Sequence, residues 1–237
     1  MIRHFGVLIP STNTTCEIEF GRLLPPEYQA HFARLLSSRP GEPFSPSREE
    51  DIAYQSRLLG TAKVALVILA QTSASLFAED YDEAITRRIS AAAGCPAVTS
   101  AQAVGRAVRA LGVRRIGLVS PYSDAVNARA ADYFARVHGL ETIACEGFGA
   151  TDSYAIGGLE PQRAKAAFAR IDRPQIEAFV VPGGNFPTLP SIAAWEAAFN
   201  KPVVTTNQAS IWAMLRHFGA GAGLPGLGRL LQEIPAG

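Results

Sequence analysis

Four short stretches carry the residue types from which a small-ligand site is made: 10–15 (PSTNTT), 71–75 (QTSAS), 121–124 (PYSD) and 183–188 (GGNFPT). Together they offer hydroxyls at Ser11, Thr12, Thr72, Ser73, Tyr122 and Thr188, amides at Asn13, Gln71 and Asn185, and bare backbone at Gly183 and Gly184. Each follows an apolar run, and several precede a helical one. N–H groups at helix starts carry partial positive charge and favour anions, and glycine lets a ligand come close to the main chain. Such groups suit a carboxylate and suit a cation or metal poorly. The stretch 178–188 shows the pattern most plainly. A buried strand, AFVV, runs into PGGNFPT, a turn with no ready acid, base or nucleophile in it.

The bland reading of the same residues is that Ser, Thr and Asn cap helices. Four such loops at equivalent places weigh towards a site. Other candidates are weaker. Cys16 falls in the first turn of an expected helix, where a thiol pKa can drop, yet a free cysteine is more often buried and inert. Glu17 and Glu19 read as first-turn acids favoured by the helix dipole. His4, His31, His138 and His217 are scattered, with no carboxylate or cysteine at a recognisable spacing. Residues 219–228 (GAGAGLPGLG) lack the Lys-Ser/Thr of a phosphate loop and read as a linker.

The elements that must position these loops alternate. Strands are expected at 5–9, 31–36, 64–69, 97–99, 116–119, 141–145, 178–181 and 203–205. Helices are expected at 16–24, 49–60, 80–93, 101–111, 125–138, 161–170, 191–199 and 209–218, with a short last one after the glycine-rich stretch. A loop is expected over 39–47, which holds three prolines and a glycine. This order implies parallel βαβ units with helices on both faces.

The chain also repeats itself. FGVLIP at 5–10 matches IGLVSP at 116–121, an offset of 111; ALVILAQTSA at 65–74 matches AFVVPGGNFP at 178–187, an offset of 113; PAVTSAQA at 96–103 matches PVVTTNQA at 202–209, an offset of 106. Three matches in one order predict an α/β protein of two pseudo-symmetric, doubly wound lobes with parallel sheets and a ligand cleft between them. The first lobe is expected to cover 1–98, completed by 207–237, and the second 99–206.

Bulk properties exclude several classes. With 22 basic and 21 acidic residues the formal charge is +1, which gives no electrostatic case for nucleic acid or an anionic membrane. No apolar run approaches the ~20 residues of a membrane span. Cys16, Cys95 and Cys145 form no CxxC pair and suggest neither zinc nor disulfides. Together with the absence of signal-peptide architecture, these features predict a cytoplasmic protein. A homo-oligomer is compatible with the sequence and not readable from it.

The segments 6–17 (GVLIPSTNTTCE), 120–127 (SPYSDAVN), 183–192 (GGNFPTLPSI) and 202–208 (PVVTTNQ) resemble the aspartate/glutamate racemase superfamily. Within it the chain is most similar to the branch of maleate cis-trans isomerases and arylmalonate decarboxylases, over almost its full length. The resemblance implies no cofactor, no metal, and a small carboxylate as partner. It implies that Asn13, Thr72, Ser73, Tyr122, Gly184 and Asn185 hold carboxylate oxygens. It also places Gln71 and Gly183 where racemases and maleate isomerases carry a cysteine pair, the second of which the decarboxylase keeps. Gln and Gly cannot serve as two-sided acid and base, and Gly183 cannot add to an alkene as a nucleophile.

The expectation is a cofactor-independent lyase or isomerase on a small (di)carboxylic acid, with decarboxylase-like enolate chemistry at Tyr122, Gln71 and Gly183. The proton would come from water or from Tyr122. A divergent hydrolase and a catalytically inactive carboxylate-binding protein stay open.

Overall fold

The structure is a computed structural model and describes residues 2–36 and 44–234. The expected loop at 39–47 is described only from Phe44 onward; its first part, 39–43, lies outside the described residues. Two four-stranded parallel sheets form the frame. The first has the order β2-β1-β3-β4, from β1 (Arg3–Pro10), β2 (Tyr28–Leu35), β3 (Val67–Leu69) and β4 (Ala97–Thr99). The second has the order β6-β5-β7-β8, from β5 (Arg115–Ser120), β6 (Glu141–Gly147), β7 (Ala178–Val181) and β8 (Val203–Thr205). Of the inner strands, β3 and β7 are buried along their whole length and β1 and β5 over most of it, so they read as apolar runs without alternation.

Helices α1 (Cys16–Leu23), α2 (Glu49–Thr61), α3 (Tyr81–Ala93) and α4 (Ser100–Ala110) belong to the first half of the chain. Helices α5 (Asp124–His138), α6 (Pro161–Ile171), α7 (Ile192–Phe199), α8 (Thr206–His217) and α9 (Arg229–Glu233) belong to the second. Most ends agree with the expected ones within a few residues. Strands β2 and β3 begin three residues from the expected 31 and 64. Among the helices the largest shift is at α8, which begins at Thr206 rather than Ala209. The cause is the repeated T-x-x-Q. Thr99 Oγ1 accepts from Gln102 N–H at 3.1 Å while Gln102 Oε1 accepts from Thr99 N–H, a reciprocal cap that starts α4 at the last strand residue. Gln208 Oε1 likewise accepts from Thr205 N–H. The repeat conserves an abrupt strand-to-helix junction.

In each sheet the chain leaves the central strand in one direction and returns on its other side. The loops after β1 and β3 therefore diverge at a switch point, as do those after β5 and β7, and such crevices at strand carboxyl ends receive ligands. Strand register also sharpens the repeat. Gly6 pairs with Val67, and Gly117 with Phe179. Because Gly6 and Gly117 are equivalent, Val67 corresponds to Phe179, and the offset there is 112, not 113. Gln71 is thus the counterpart of Gly183, Thr72 of Gly184 and Ser73 of Asn185.

The halves are not independent. One buried apolar cluster includes Phe5, Ile68, Leu118, Phe179 and Trp212. Helix α8 packs on α4 and α1, and α5 lies against a 3₁₀ turn at Thr72–Leu76. No helix among the described residues is long and apolar enough to cross a membrane.

Candidate active site

One pocket takes residues from all four expected loops. Asn13, Gln71, Thr72, Ser73, Tyr122, Gly183, Gly184 and Asn185 line it, with Thr12 beside them. The cavity measures about 50 Å³. Phe44, Ser153 and Ile156 also line it and were not foreseen. The only signal for them was position, in two loops rich in Pro or Gly between strong elements. Ser11 and Thr188 from the same loops are not among its walls.

Most of the expected polar side chains turn away from the ligand space. Gln71 is bound to the segment entering α2: its Nε2 donates to Ser45 O at 3.1 Å and its Oε1 accepts from Ser47 N–H at 3.2 Å. Ser73 Oγ donates to Phe44 O at 2.8 Å. These bonds hold Phe44 in a left-handed conformation, φ 71°, which a phenylalanine adopts only under such constraint. Phe44 then packs edge-on against Tyr122, with ring centroids 5.1 Å apart, as an apolar wall. Asn185 stitches the halves together. Its Oδ1 accepts from Thr14 N–H at 2.8 Å, and its Nδ2 donates to Ser153 O at 2.7 Å. Thr72 Oγ1 lies 2.9 Å from Ser100 Oγ and 3.2 Å from Thr206 Oγ1, and Thr206 Oγ1 accepts from Gly183 N–H at 2.9 Å.

What remains for a ligand is mainly backbone. The N–H groups of Thr72 and Ser73, and those of their counterparts Gly184 and Asn185, have no acceptor among the described residues. Two side-chain donors join them. Asn13 Oδ1 accepts from Thr15 and Cys16 N–H at 3.0 and 2.9 Å, an arrangement that caps α1 and leaves Nδ2 as a donor without an acceptor among the described residues. The Tyr122 hydroxyl also lacks a hydrogen-bond partner there. Burial holds this phenol above the ordinary tyrosine range. Among the described residues, no Lys, Arg or His lines the pocket. The described donors would hold an anion by neutral dipoles, which act strongly where they are buried.

Gly183 has a conformational reason to be glycine. Its φ is +116°, and a Cβ there would stand 3.0 Å from Pro121 Cγ and 3.4 Å from the Tyr122 hydroxyl oxygen. None of the cysteines is at hand either. Cys16 is fully buried in the core, and burial, with Glu19 and Glu17 adding to it, raises its thiol pKa. Cys95 and Cys145 do not line the pocket.

The reading of Glu19 as a mere first-turn acid needs correction. The residue is buried, its Oε1 accepts from Thr188 and Leu189 N–H at 2.8 and 2.9 Å, and its Oε2 accepts from Asn207 Nδ2 at 2.6 Å. It fixes the far end of the 183–188 loop from the opposite half. Glu17 pairs at the surface with Arg34, whose Nη1 also donates to Ser11 and Asn13 carbonyls at 3.0 Å.

Comparison with known proteins bears on this geometry directly. The arylmalonate decarboxylase family model matches residues 46–231. The chain belongs to that family. Arylmalonate decarboxylase of Bordetella bronchiseptica is 31% identical over 188 residues, 78% of each chain. A maleate isomerase of Pseudomonas putida is 25% identical over 241 residues, 96% of each. Among solved structures, a liganded variant of arylmalonate decarboxylase superposes with a TM-score of 0.84 at 29% identity, covering 98% of this chain and 99% of that one. The family places the chain in the racemase-type superfamily, in the branch of decarboxylases and maleate isomerases, whose named members are enzymes. Its pocket, at the two switch points, therefore lies on an enzyme fold.

Proposed function

We propose that the protein is a cofactor-independent lyase that decarboxylates a malonate-type diacid bound in the pocket between the two halves. The observation that carries this is the set of four acceptor-free N–H groups at Thr72, Ser73, Gly184 and Asn185, two from each half, in a pocket without a thiol. One carboxylate of the substrate sits on these donors and on Asn13 Nδ2. The other faces Phe44, Ile156, Pro10 and Ala70, where an apolar wall solvates its charge poorly. Loss of CO2 leaves an electron pair on the central carbon that delocalises into the retained carboxylate. The enediolate so formed carries more charge on its oxygens than the substrate did. Preorganised donors stabilise that transition state more than the ground state, by about 3–4 kcal/mol for a single well-placed donor. Gln71 and Ser73 contribute by fixing the Phe44 wall, and Gly183 by its backbone.

The same pocket argues against alkene isomerisation by covalent addition. A solved Nocardia farcinica maleate isomerase, similar to this chain in fold, holds a succinylcysteine intermediate. No residue lining the present pocket offers a thiolate.

The test is to incubate the protein with methyl(vinyl)malonate, methyl(phenyl)malonate and maleate in D2O and follow each by NMR. The expected result is CO2 release from at least one malonate, with deuterium at the product α-carbon, and no fumarate. Fumarate formation at an enzymatic rate overturns the reading. Tight malonate binding without CO2 release points instead to a carboxylate-binding protein.

A further inference from the structure

We infer that Tyr122 is the acid that delivers the proton to the substrate's α-carbon, an assignment that rests on the decarboxylase reading above. Once CO2 has left, the reaction needs one proton at carbon, and the walls of the pocket offer few sources. Pro10, Phe44, Ala70, Ile156, Gly183 and Gly184 have no acidic side-chain proton. The hydroxyls of Thr72 and Ser73 are engaged with Thr206, Ser100 and Phe44 O, and that of Thr12 donates to Ser153 Oγ. The amides of Gln71 and Asn185 are bound to main chain, which leaves the Asn13 amide and the Ser153 alcohol. Alcohols and amides are in any case far weaker acids than a phenol. Tyr122 alone combines an acidic proton with a hydroxyl that has no hydrogen-bond partner among the described residues.

Its position is fixed. Tyr122 N–H donates to Ser120 Oγ at 3.0 Å, and Tyr122 O accepts from Gly149 N–H at 3.1 Å. The ring is 4% exposed and closed in by Phe44. The hydroxyl lies 3.4 Å from the point a Cβ on Gly183 would occupy, so the phenol stands beside the space left by the missing side chain. Gly183 N–H is bound to Thr206, and the free N–H groups begin at Gly184, next in the chain. The phenol thus reaches the ligand beside the carboxylate donors of its own half, where the α-carbon of a carboxylate held on Gly184 and Asn185 would be.

The step balances without a further reactant. The bond between the α-carbon and the departing carboxylate breaks, and its pair resides in the enediolate. That pair takes the Tyr122 proton to form the C–H bond, and the O–H pair stays on the phenolate. Water then returns a proton to the phenolate. Burial favours the neutral phenol, so it makes Tyr122 a weaker donor than an exposed tyrosine but drives its reprotonation by water afterwards. Donation is still downhill, because the enediolate carbon is a far stronger base than a phenolate.

The test uses methyl(vinyl)malonate, whose product is chiral, with the wild type and Tyr122→Phe. A fixed acid protonates one face, so the wild type should release one enantiomer. Tyr122→Phe loses a hydroxyl that has no hydrogen-bond partner among the described residues, and it should melt like the wild type. Its kcat should fall at least about a hundredfold, its KM should stay within about threefold, and its residual product should be racemic because water supplies the proton. Unchanged kcat and enantioselectivity in Tyr122→Phe overturn the role of Tyr122 and leave the decarboxylase reading standing. So does a raised KM with kcat retained, which makes the phenol a carboxylate donor only. Should the variant not fold, a racemic product from the wild type overturns the role by itself. Absence of CO2 release from the wild type on every malonate overturns the decarboxylase reading and this role with it.

Discussion

At position 183 two features meet: the backbone turns through φ +116°, and the next two N–H groups are left without an acceptor among the described residues. A side chain there is strained whatever its chemistry. Gly183→Ala and Gly183→Cys are each expected to destabilise the fold by about 1–3 kcal/mol, read from urea or thermal melts. A melt equal to the wild type would show that the loop relaxes easily and that the glycine is not required. The installed thiol should therefore add less activity than its position suggests. A second prediction concerns Ser73, whose hydroxyl reaches Phe44 O and not the ligand space. Ser73→Ala keeps the Ser73 N–H but frees the strained Phe44, so it should lower kcat by admitting water while carboxylate affinity changes little. A tenfold loss of affinity for malonate with unchanged kcat would instead place the hydroxyl on the ligand. The sequence made the loops legible, because hydroxyls, amides and glycines after apolar runs are visible in one dimension. It did not show which atoms stay free. That depended on partners tens of residues away, such as Phe44 for Ser73, Thr14 for Asn185 and Thr188 for Glu19.

Strands and helices were legible because their signals are local. The strands 178–181, 97–99 and 203–205 fall where expected, bounded by turn residues and buried on both faces. The short 3₁₀ turn at Thr72–Leu76 carries no periodicity in its five residues, so in the sequence it is indistinguishable from a loop. What holds that turn is a polar junction that no motif announced. Asp82 on α3 accepts from Ser75 Oγ at 2.6 Å, from Thr99 Oγ1 at 2.8 Å and from the Tyr133 hydroxyl on α5. His138 lies 3.4 Å from that same hydroxyl. Burial, aided by Arg106 and Arg109 and opposed by Asp82, lowers the His138 pKa to about 4. The unfolded chain, with an imidazole near 6.5, binds more protons than the folded one between these values. Stability from His138 is therefore complete above about pH 6.5 and is lost as pH falls towards 4. His31 shifts in the same direction, while Glu19 and Glu196, raised by burial, act oppositely. Comparing wild type with His138→Phe across pH 4–7 isolates the imidazole. The variant should lose less stability on acidification, and parallel curves would exclude His138 as a source of the pH dependence.

The two halves act as one molecule because their ligand loops are fastened to each other. Thr14 N–H donates to Asn185 Oδ1, Thr15 Oγ1 donates to Asn185 O at 2.7 Å, and Glu19 receives Thr188, Leu189 and Asn207. The repeat made the two-lobe plan legible from sequence, but not these ties, since equivalent positions in the halves have diverged: Ser73 binds within its own half where Asn185 reaches across. A diacid held on Thr72 and Ser73 from one side and on Gly184 and Asn185 from the other should bind the assembled pair and not the unfolded chain. At a hundred times its Kd it adds about 2.7 kcal/mol, which for a chain of this size raises Tm by roughly 5–10 °C. Asn185→Ala keeps the main-chain N–H at 185 but strands Thr14 N–H without its acceptor, at a cost of about 1–3 kcal/mol. Its unliganded Tm should fall accordingly. If the side chain also sets the spacing between the two N–H pairs, the malonate-induced rise at the same concentration should shrink to less than half. A lower starting Tm with an undiminished rise would mean that each half holds its pair of donors in place unaided. The cross-tie would then serve stability alone, and the spacing of the site would have to come from the shared core and from the Thr72–Thr206 contact.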